Sequence, residues 1–331
     1  MTTPFTKSPF WKHSLPTFAA VGLILAAAVG CGSSPAELNS SHSSTTPATK
    51  LTNSSTVIRA VGAENEYANV ISQIGGPYVQ VTAIMSNPNT DPHTFEASPQ
   101  VANVISSAEL IVQNGLGYDT FMSKLESASQ NPARTVIDVQ HLLDLPDSTP
   151  NPHLWYNPST MPVVATAIEN RLSQLQPAHK AYFQANLQRF LHSLQPWNAA
   201  ITALKSQYPG APVATTEPVA DDMLNAAGLK NETPWTFQAD VMNGTDPSPQ
   251  TVEIQKKLFT EHRVKVFLYN QQVVDPLTNS LLLLAKQNNI PVVGVYETMP
   301  PNENYQTWML REVQNVQAAL QEHKSTETMN G

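Results

Sequence analysis

The sequence predicts an α/β protein with two parallel-sheet lobes joined by a long linking helix. Three observations carry this prediction. From Val57 onward, short runs rich in β-branched residues alternate with longer stretches of helical periodicity, as expected of parallel sheets flanked by helices. One uninterrupted amphipathic stretch, 177–208, divides that alternation, and the same order of elements resumes after it. The chain has 331 residues, which suits two domains at about 150 residues each.

In the first half, strands are expected over 57–61, 79–84, 110–113 and 135–138, with helices over 64–74, 99–107, 118–129 and 159–175. The stretch 177–208 places Tyr182, Phe183, Leu187, Phe190, Leu191, Leu194, Trp197, Ile201 and Leu204 at spacings of mostly three and four, one face of a helix. Pro196 inside it predicts a kink or break. In the second half, strands are expected over 213–216, 264–269 and 292–295, with a weak fourth over 235–238. Its helices should cover 219–227, 249–260, 277–288 and 304–321. The lobes then run 56–176 and 209–324, followed by a disordered tail, 325–331.

Composition narrows the function. Charged residues are only 13% of the chain, against roughly 25% in ordinary domains. The net charge is −8 with no basic stripe, so nucleic acid is not an expected partner. A mean hydropathy of −0.24 excludes a polytopic membrane protein. The single cysteine, Cys31, excludes an intrachain disulfide framework and a thiolate zinc cluster.

The N-terminus reads as an address. Lys7 and Lys12 precede an apolar run of twelve residues, 18–29, and no acid occurs before Glu37. That run is short for a membrane span of about 20 residues. It ends in Ala28-Val29-Gly30-Cys31, which resembles the lipobox of bacterial lipoproteins. The resemblance implies a signal peptide over 1–30, removed before Cys31 is lipidated. Residues 31–55 are rich in Ser, Thr and Asn, unable to bury a core, and read as a flexible tether.

Ligand sites in open α/β sheets form beyond the carboxyl ends of the strands. His93 lies in Asn87-Pro-Asn-Thr-Asp-Pro-His93, after the second expected strand, and His153 in Asn151-Pro-His153-Leu-Trp155, after the fourth. Glu217 follows the first strand of the second half, and Glu297 the last. Two imidazoles from one half and two carboxylates from the other suggest a site between the lobes. Such a set suits a borderline divalent ion: Zn²⁺, Mn²⁺ or Fe²⁺. Four protein ligands favour holding an ion over using it, because catalytic zinc keeps a position for water. Pattern alone also accommodates Glu217 as a cap on the following helix, Glu297 as an exposed loop acid, and the histidines as surface residues.

At these motifs the sequence resembles the zinc/manganese family of ABC-transporter solute-binding lipoproteins. The resemblance runs from Ala63-Glu-Asn-Glu-Tyr67 to Tyr305-Gln-Thr-Trp-Met309. It is strongest at 87–96 and 151–155, and extends through Asn114-Gly-Leu-Gly-Tyr-Asp119 and Tyr296-Glu-Thr-Met-Pro-Pro301. It implies an extracytoplasmic, lipid-anchored, monomeric receptor that captures one divalent transition metal as cargo for a cognate ABC permease, with no enzymatic step. It makes His93 and His153 the imidazole ligands, and Glu217 and Glu297 the carboxylate ligands. Glu217 stands where zinc-type relatives often have histidine and manganese-type relatives glutamate. The chain also lacks the long His-rich loop of many zinc importers. Both departures lean away from a dedicated zinc capturer, although Zn²⁺ usually outcompetes Mn²⁺ at a nitrogen and oxygen site.

Two rivals share these residues: a metal-dependent hydrolase with Glu297 as base, and a metal-stabilised surface adhesin. A siderophore-binding relative would share the helix-joined architecture but need a wider, aromatic or basic cleft, which this acidic chain with paired histidine motifs does not suggest. Elsewhere, His179 and His192 are expected to face solvent, while His141, His262 and His323 lack a partner in a matching loop. His42 falls in the tether. Asp221 and Asp222 should open a helix, Trp155 should pack, and Trp308 and Met309 should be core.

Overall fold

The short β-branched runs build two parallel four-stranded sheets of identical connectivity. The structure, a computed structural model, describes residues 57–89 and 92–328. Expectations for the signal peptide, Cys31, His42 and the tether lie outside those residues. The first sheet contains β1 (Ile58–Glu64), β2 (Val79–Met85), β3 (Leu110–Gln113) and β4 (Thr135–Asp138), in the order β2-β1-β3-β4. The second contains β5 (Pro212–Thr215), β6 (Lys230–Asn231), β7 (Val266–Asn270) and β8 (Val292–Val295), in the order β6-β5-β7-β8. Every pairing is parallel. In each sheet the order reverses beside its first strand, the place where such folds form a crevice.

Helices α1 (Asn65–Gly75), α2 (Pro99–Ser107), α3 (Thr120–Ala128) and the short α4 (Val139–Leu142) serve the first sheet, and α5 (Thr160–Leu175) follows. Then come α6 (Lys180–Ser193) and α7 (Gln195–Gln207). The second sheet carries α8 (Asp221–Ala226), α9 (Trp235–Met242), α10 (Pro249–Thr260), α11 (Pro276–Gln287) and α12 (Tyr305–Glu322). Local chemistry sets several of their starts. Asp275 with Thr278 and Asn304 with Thr307 form capping boxes for α11 and α12, and Ser248 caps α10 ahead of Pro249. Gly62 lets α1 fold back directly from β1, because a Cβ there would run into the backbone of Ala68.

The linking stretch is two helices, not one. The chain breaks at Leu194, and Pro196 sits in the first turn of α7, where its missing N–H costs nothing. The amphipathic face survives the break: Phe183, Leu187, Phe190, Leu194, Trp197, Ile201 and Leu204 are buried, and Tyr182 and Leu191 are half-buried beside them. They join a core that runs without interruption from β1 and α1 to β7 and α12. Smaller clusters cover the far face of each sheet, around Ile105 and Met122 in the first and Phe259 and Leu281 in the second.

Three expectations need correction. The 235–238 segment is the start of α9, entered after Pro234, and the fourth strand is the two-residue β6 just before it. Aromatic and β-branched residues suggest a strand there. The buried set Phe237, Gln238, Val241 and Met242 instead has helical spacing. The expected tail is ordered through residue 328. Thr326 donates its N–H to Val292 O and accepts at its carbonyl from Gly294 N–H. The tail backbone at Glu327 lies where a side chain on Gly294 would be. Finally, His179 stacks on Tyr78 with ring centroids 3.7 Å apart, while His192 is exposed as expected.

One face of α1 holds the two halves together. The Asn65 amide donates to Met299 O at 2.8 Å and accepts from Met299 N–H at 2.9 Å. Asn69 Oδ1 accepts from Tyr305 N–H, and the amides of Gln73 and Gln306 pair reciprocally. These residues recur at i, i+4 and i+8, which aligns them on a single helix face.

Glu312, fully buried on α12, accepts at Oε1 from Trp308 Nε1–H and Tyr156 O–H. Burial pushes its carboxyl up to about 8, against the opposing pull of those bonds. A carboxyl raised in the folded state stabilises most below its ordinary value of 4.5, and that contribution is lost as pH rises towards 8. Urea denaturation from pH 5 to 8 should therefore show a decline that Glu312→Gln flattens, by at most about 1.4 kcal/mol per pH unit. Parallel profiles for the two proteins would contradict this.

Candidate metal centre

The carboxyl ends of the two sheets meet at one buried carboxylate. Glu297 lies two residues beyond β8 and is 1% exposed. Its Oε2 stands 3.1 Å from His153 Nε2, 3.4 Å from His93 Nε2 and 3.0 Å from the Tyr118 hydroxyl, which donates to it. One ligand-capable atom each from His93, His153 and Glu297 lies within 4.8 Å of the others, the one such group of three or more among the described residues.

Each side chain is held by local structure. His93 belongs to a single turn, Pro92–Thr94, on the loop after β2, and its side chain is 22% exposed. His153 precedes the turn Leu154–Tyr156 and is fully buried. Asn151 Oδ1 accepts from its backbone N–H at 3.2 Å and sits 2.8 Å from Nδ1, which aims Nε2 at Glu297. Trp155 and Tyr118 meet the His153 ring edge-on at 5.5 and 5.8 Å, so Trp155 both packs and walls the site. On the opposite side, Gln272 Oε1 accepts from the backbone N–H groups of Glu297 and Thr298.

Glu217 is 2% exposed and stands outside that group of three. Asn270 connects it. This amide ends β7 and donates Nδ2–H to Glu297 Oε1 at 2.7 Å and to Glu217 Oε2 at 3.2 Å. The structure thus brings three of the four expected residues into contact and places the fourth behind an amide. Asp221 and Asp222 open α8 as expected. Asn270, Tyr118, Asn151 and Gln272 were not among the expected site residues. Asn270 nonetheless ends strand β7 and Tyr118 follows β3, close to the rule that singled out the histidines and glutamates.

Charge in the site is concentrated on Glu297. Burial pushes its carboxyl up, but the hydrogen bonds and charges of His153 and His93 prevail and hold it well below the usual range. The nearby acids behave oppositely. Burial raises Glu64 and Glu66 well above theirs, reinforced by Asp119 and Glu66 for Glu64 and by Glu297 for Glu66. Burial also pushes Asp119 up to about 6 despite N–H bonds from Asn114 and Gly115. Burial thus disfavours charge on Glu64 and Glu66, whereas the two imidazoles favour it on Glu297.

A two-lobed α/β receptor with a buried imidazole–carboxylate site at the meeting of its lobes is the class that this fold and site define. The chain belongs to the family described as zinc-uptake complex component A, periplasmic, whose model matches residues 61–319. It is 22% identical over 287 residues to the manganese ABC transporter substrate-binding lipoprotein of Streptococcus gordonii, covering 82% of this chain and 86% of that one. It is also 22% identical over 216 residues to an iron-binding protein of Yersinia pestis, covering 62% and 67%. The fold matches the periplasmic zinc-binding protein of Treponema pallidum with a TM-score of 0.68 at 17% identity, covering 80% of this chain and 99% of that one.

The Tyr118 hydroxyl bonds a charged oxygen, a contact worth about 1.5–3 kcal/mol when buried. Tyr118→Phe should lower the unfolding free energy of the metal-free protein by about that much in urea titrations at pH 7. No change would mean that the hydroxyl adds nothing to holding Glu297.

Proposed function

We propose that this protein is the extracytoplasmic receptor of an ABC importer and carries one divalent transition metal between its lobes. His93, His153 and Glu297 bind the ion, and Glu217 completes the set. The observation that carries this reading is the spacing of donors around Glu297 Oε2. Donors on a tetrahedral ion with bonds of about 2.0–2.1 Å stand roughly 3.3–3.4 Å apart. The two imidazole nitrogens lie 3.1 and 3.4 Å from that oxygen. Two neutral nitrogens with anionic oxygen suit Zn²⁺, Mn²⁺ or Fe²⁺, the cargo range in the names of the relatives.

The surroundings favour carrying over catalysis. His153 and Glu297 are buried beneath Tyr118 and Trp155. A cavity of about 220 Å³ lined by Met85, Asn87, Pro92, Phe95 and Thr298 borders the His93 loop, and none of the four candidate residues lines it. The anchor is Cys31, the tether is 31–55, and the partner is the cognate permease. The described residues contain no helix long and apolar enough to cross a membrane. The receptor acts as a monomer.

The test is metal content and competition on the purified full chain. We expect one tight equivalent, lost in His153→Ala and Glu297→Ala, and weakened about 10- to 100-fold in Asn151→Ala, which no longer orients His153. Binding should weaken as pH falls, because an imidazole must be unprotonated to bind metal and Glu297 stays anionic throughout. Stoichiometric metal retained in both alanine variants would refute the assignment.

A further inference from the structure

We propose that Asn270 limits Glu297 and Glu217 to one oxygen each towards the ion, and thereby sets the coordination number and the preference among metals. This rests on the four-residue site proposed above and deepens it.

The orientation of the amide is fixed by its own bonds. Asn270 Oδ1 accepts from the Gln272 backbone N–H at 3.0 Å, so Nδ2 must face the acids. Its backbone N–H donates to Thr216 Oγ1 at 3.0 Å, and the residue is fully buried. Neither the backbone nor the amide has freedom to turn away. Nδ2 carries two hydrogens, and each has an acid: Glu297 Oε1 and Glu217 Oε2.

The sheet order explains why one residue serves both. β7 lies between β5 and β8, and the two acids follow those flanking strands by two residues each. A polar residue ending β7 therefore falls between them. With one oxygen of each acid bonded to the amide, the remaining oxygens and two imidazole nitrogens make a shell of four. Four nitrogen and oxygen donors suit Zn²⁺, whereas Mn²⁺ favours larger, oxygen-rich shells that a two-oxygen carboxylate would supply. The glutamate at position 217 thus does not by itself make a manganese site.

The test uses the metal-stripped full chain with Co²⁺ as a spectroscopic probe, alongside Zn²⁺ and Mn²⁺ competition. Four-coordinate Co²⁺ absorbs visible light strongly, and five- or six-coordinate Co²⁺ weakly. We expect intense bands in the wild type and weak bands in Asn270→Ala, with the Zn²⁺ to Mn²⁺ affinity ratio falling about 10-fold in the variant. Asn270→Ser, which keeps one donor hydrogen, should fall between. Weak bands in a wild type that binds one Co²⁺ would overturn the inference while leaving the site intact, and this arm needs no variant to fold. Equal loss of both metals in Asn270→Ala, with the Co²⁺ spectrum unchanged, would also overturn it and reduce Asn270 to a brace. A wild type that binds no Co²⁺, Zn²⁺ or Mn²⁺ would overturn the site and the inference together.

Discussion

The arrangement at the centre of this molecule follows from keeping one carboxylate charged at 1% exposure. Burying an ion costs several kcal/mol unless it is paired and its lone pairs are satisfied. Glu297 meets that condition with two imidazoles, a phenol and an amide, and its backbone N–H is taken by Gln272. No single lobe supplies this set. The imidazoles and the phenol come from loops beyond β2, β3 and β4, and the amides from the end of β7 and the loop that follows it. Two sheets of the same strand order, with their carboxyl ends converging, bring these groups within reach. The neighbouring Glu64 and Glu66 lack such partners, and burial raises both carboxyls well above the usual range.

Much of this architecture was legible in the sequence. Runs such as 110–113 and 292–295 are apolar, short and flanked by amphipathic stretches, and they form the strands expected of them. Searching beyond the strand ends found His93, His153 and Glu297, because those positions depend only on local order and the general topology of α/β sheets. The errors arose where distant contacts decide. Residues 325–328 have no pattern of their own and are ordered by the bare backbone at Gly294. Trp235-Thr-Phe237 has strand composition, yet burial at helical spacing makes it α9. His179 reads as a surface residue on a helix and instead stacks on Tyr78, a partner about a hundred positions away.

The relation of Glu217 to the other three residues was not legible for a further reason. Its approach depends on an uncharged amide between it and Glu297, and a search for ligands passes over amides. Asn270 bonds one oxygen of each acid, and Gln272 accepts from the Glu297 backbone N–H. Hydrogen-bonding partners of this kind are shared between strands, so their role emerges only once the strands are placed side by side.

The row of amides on α1 carries a consequence for the molecule's surroundings. Asn65, Asn69 and Gln73 join the halves through uncharged, directional bonds, which salt does not screen and protons do not titrate. These bonds are insensitive to acidity and to ionic strength, whereas the Tyr156–Glu312 contact between the same halves depends on pH. The α1 amides therefore hold the halves in register even at pH values where the Glu312 contact weakens.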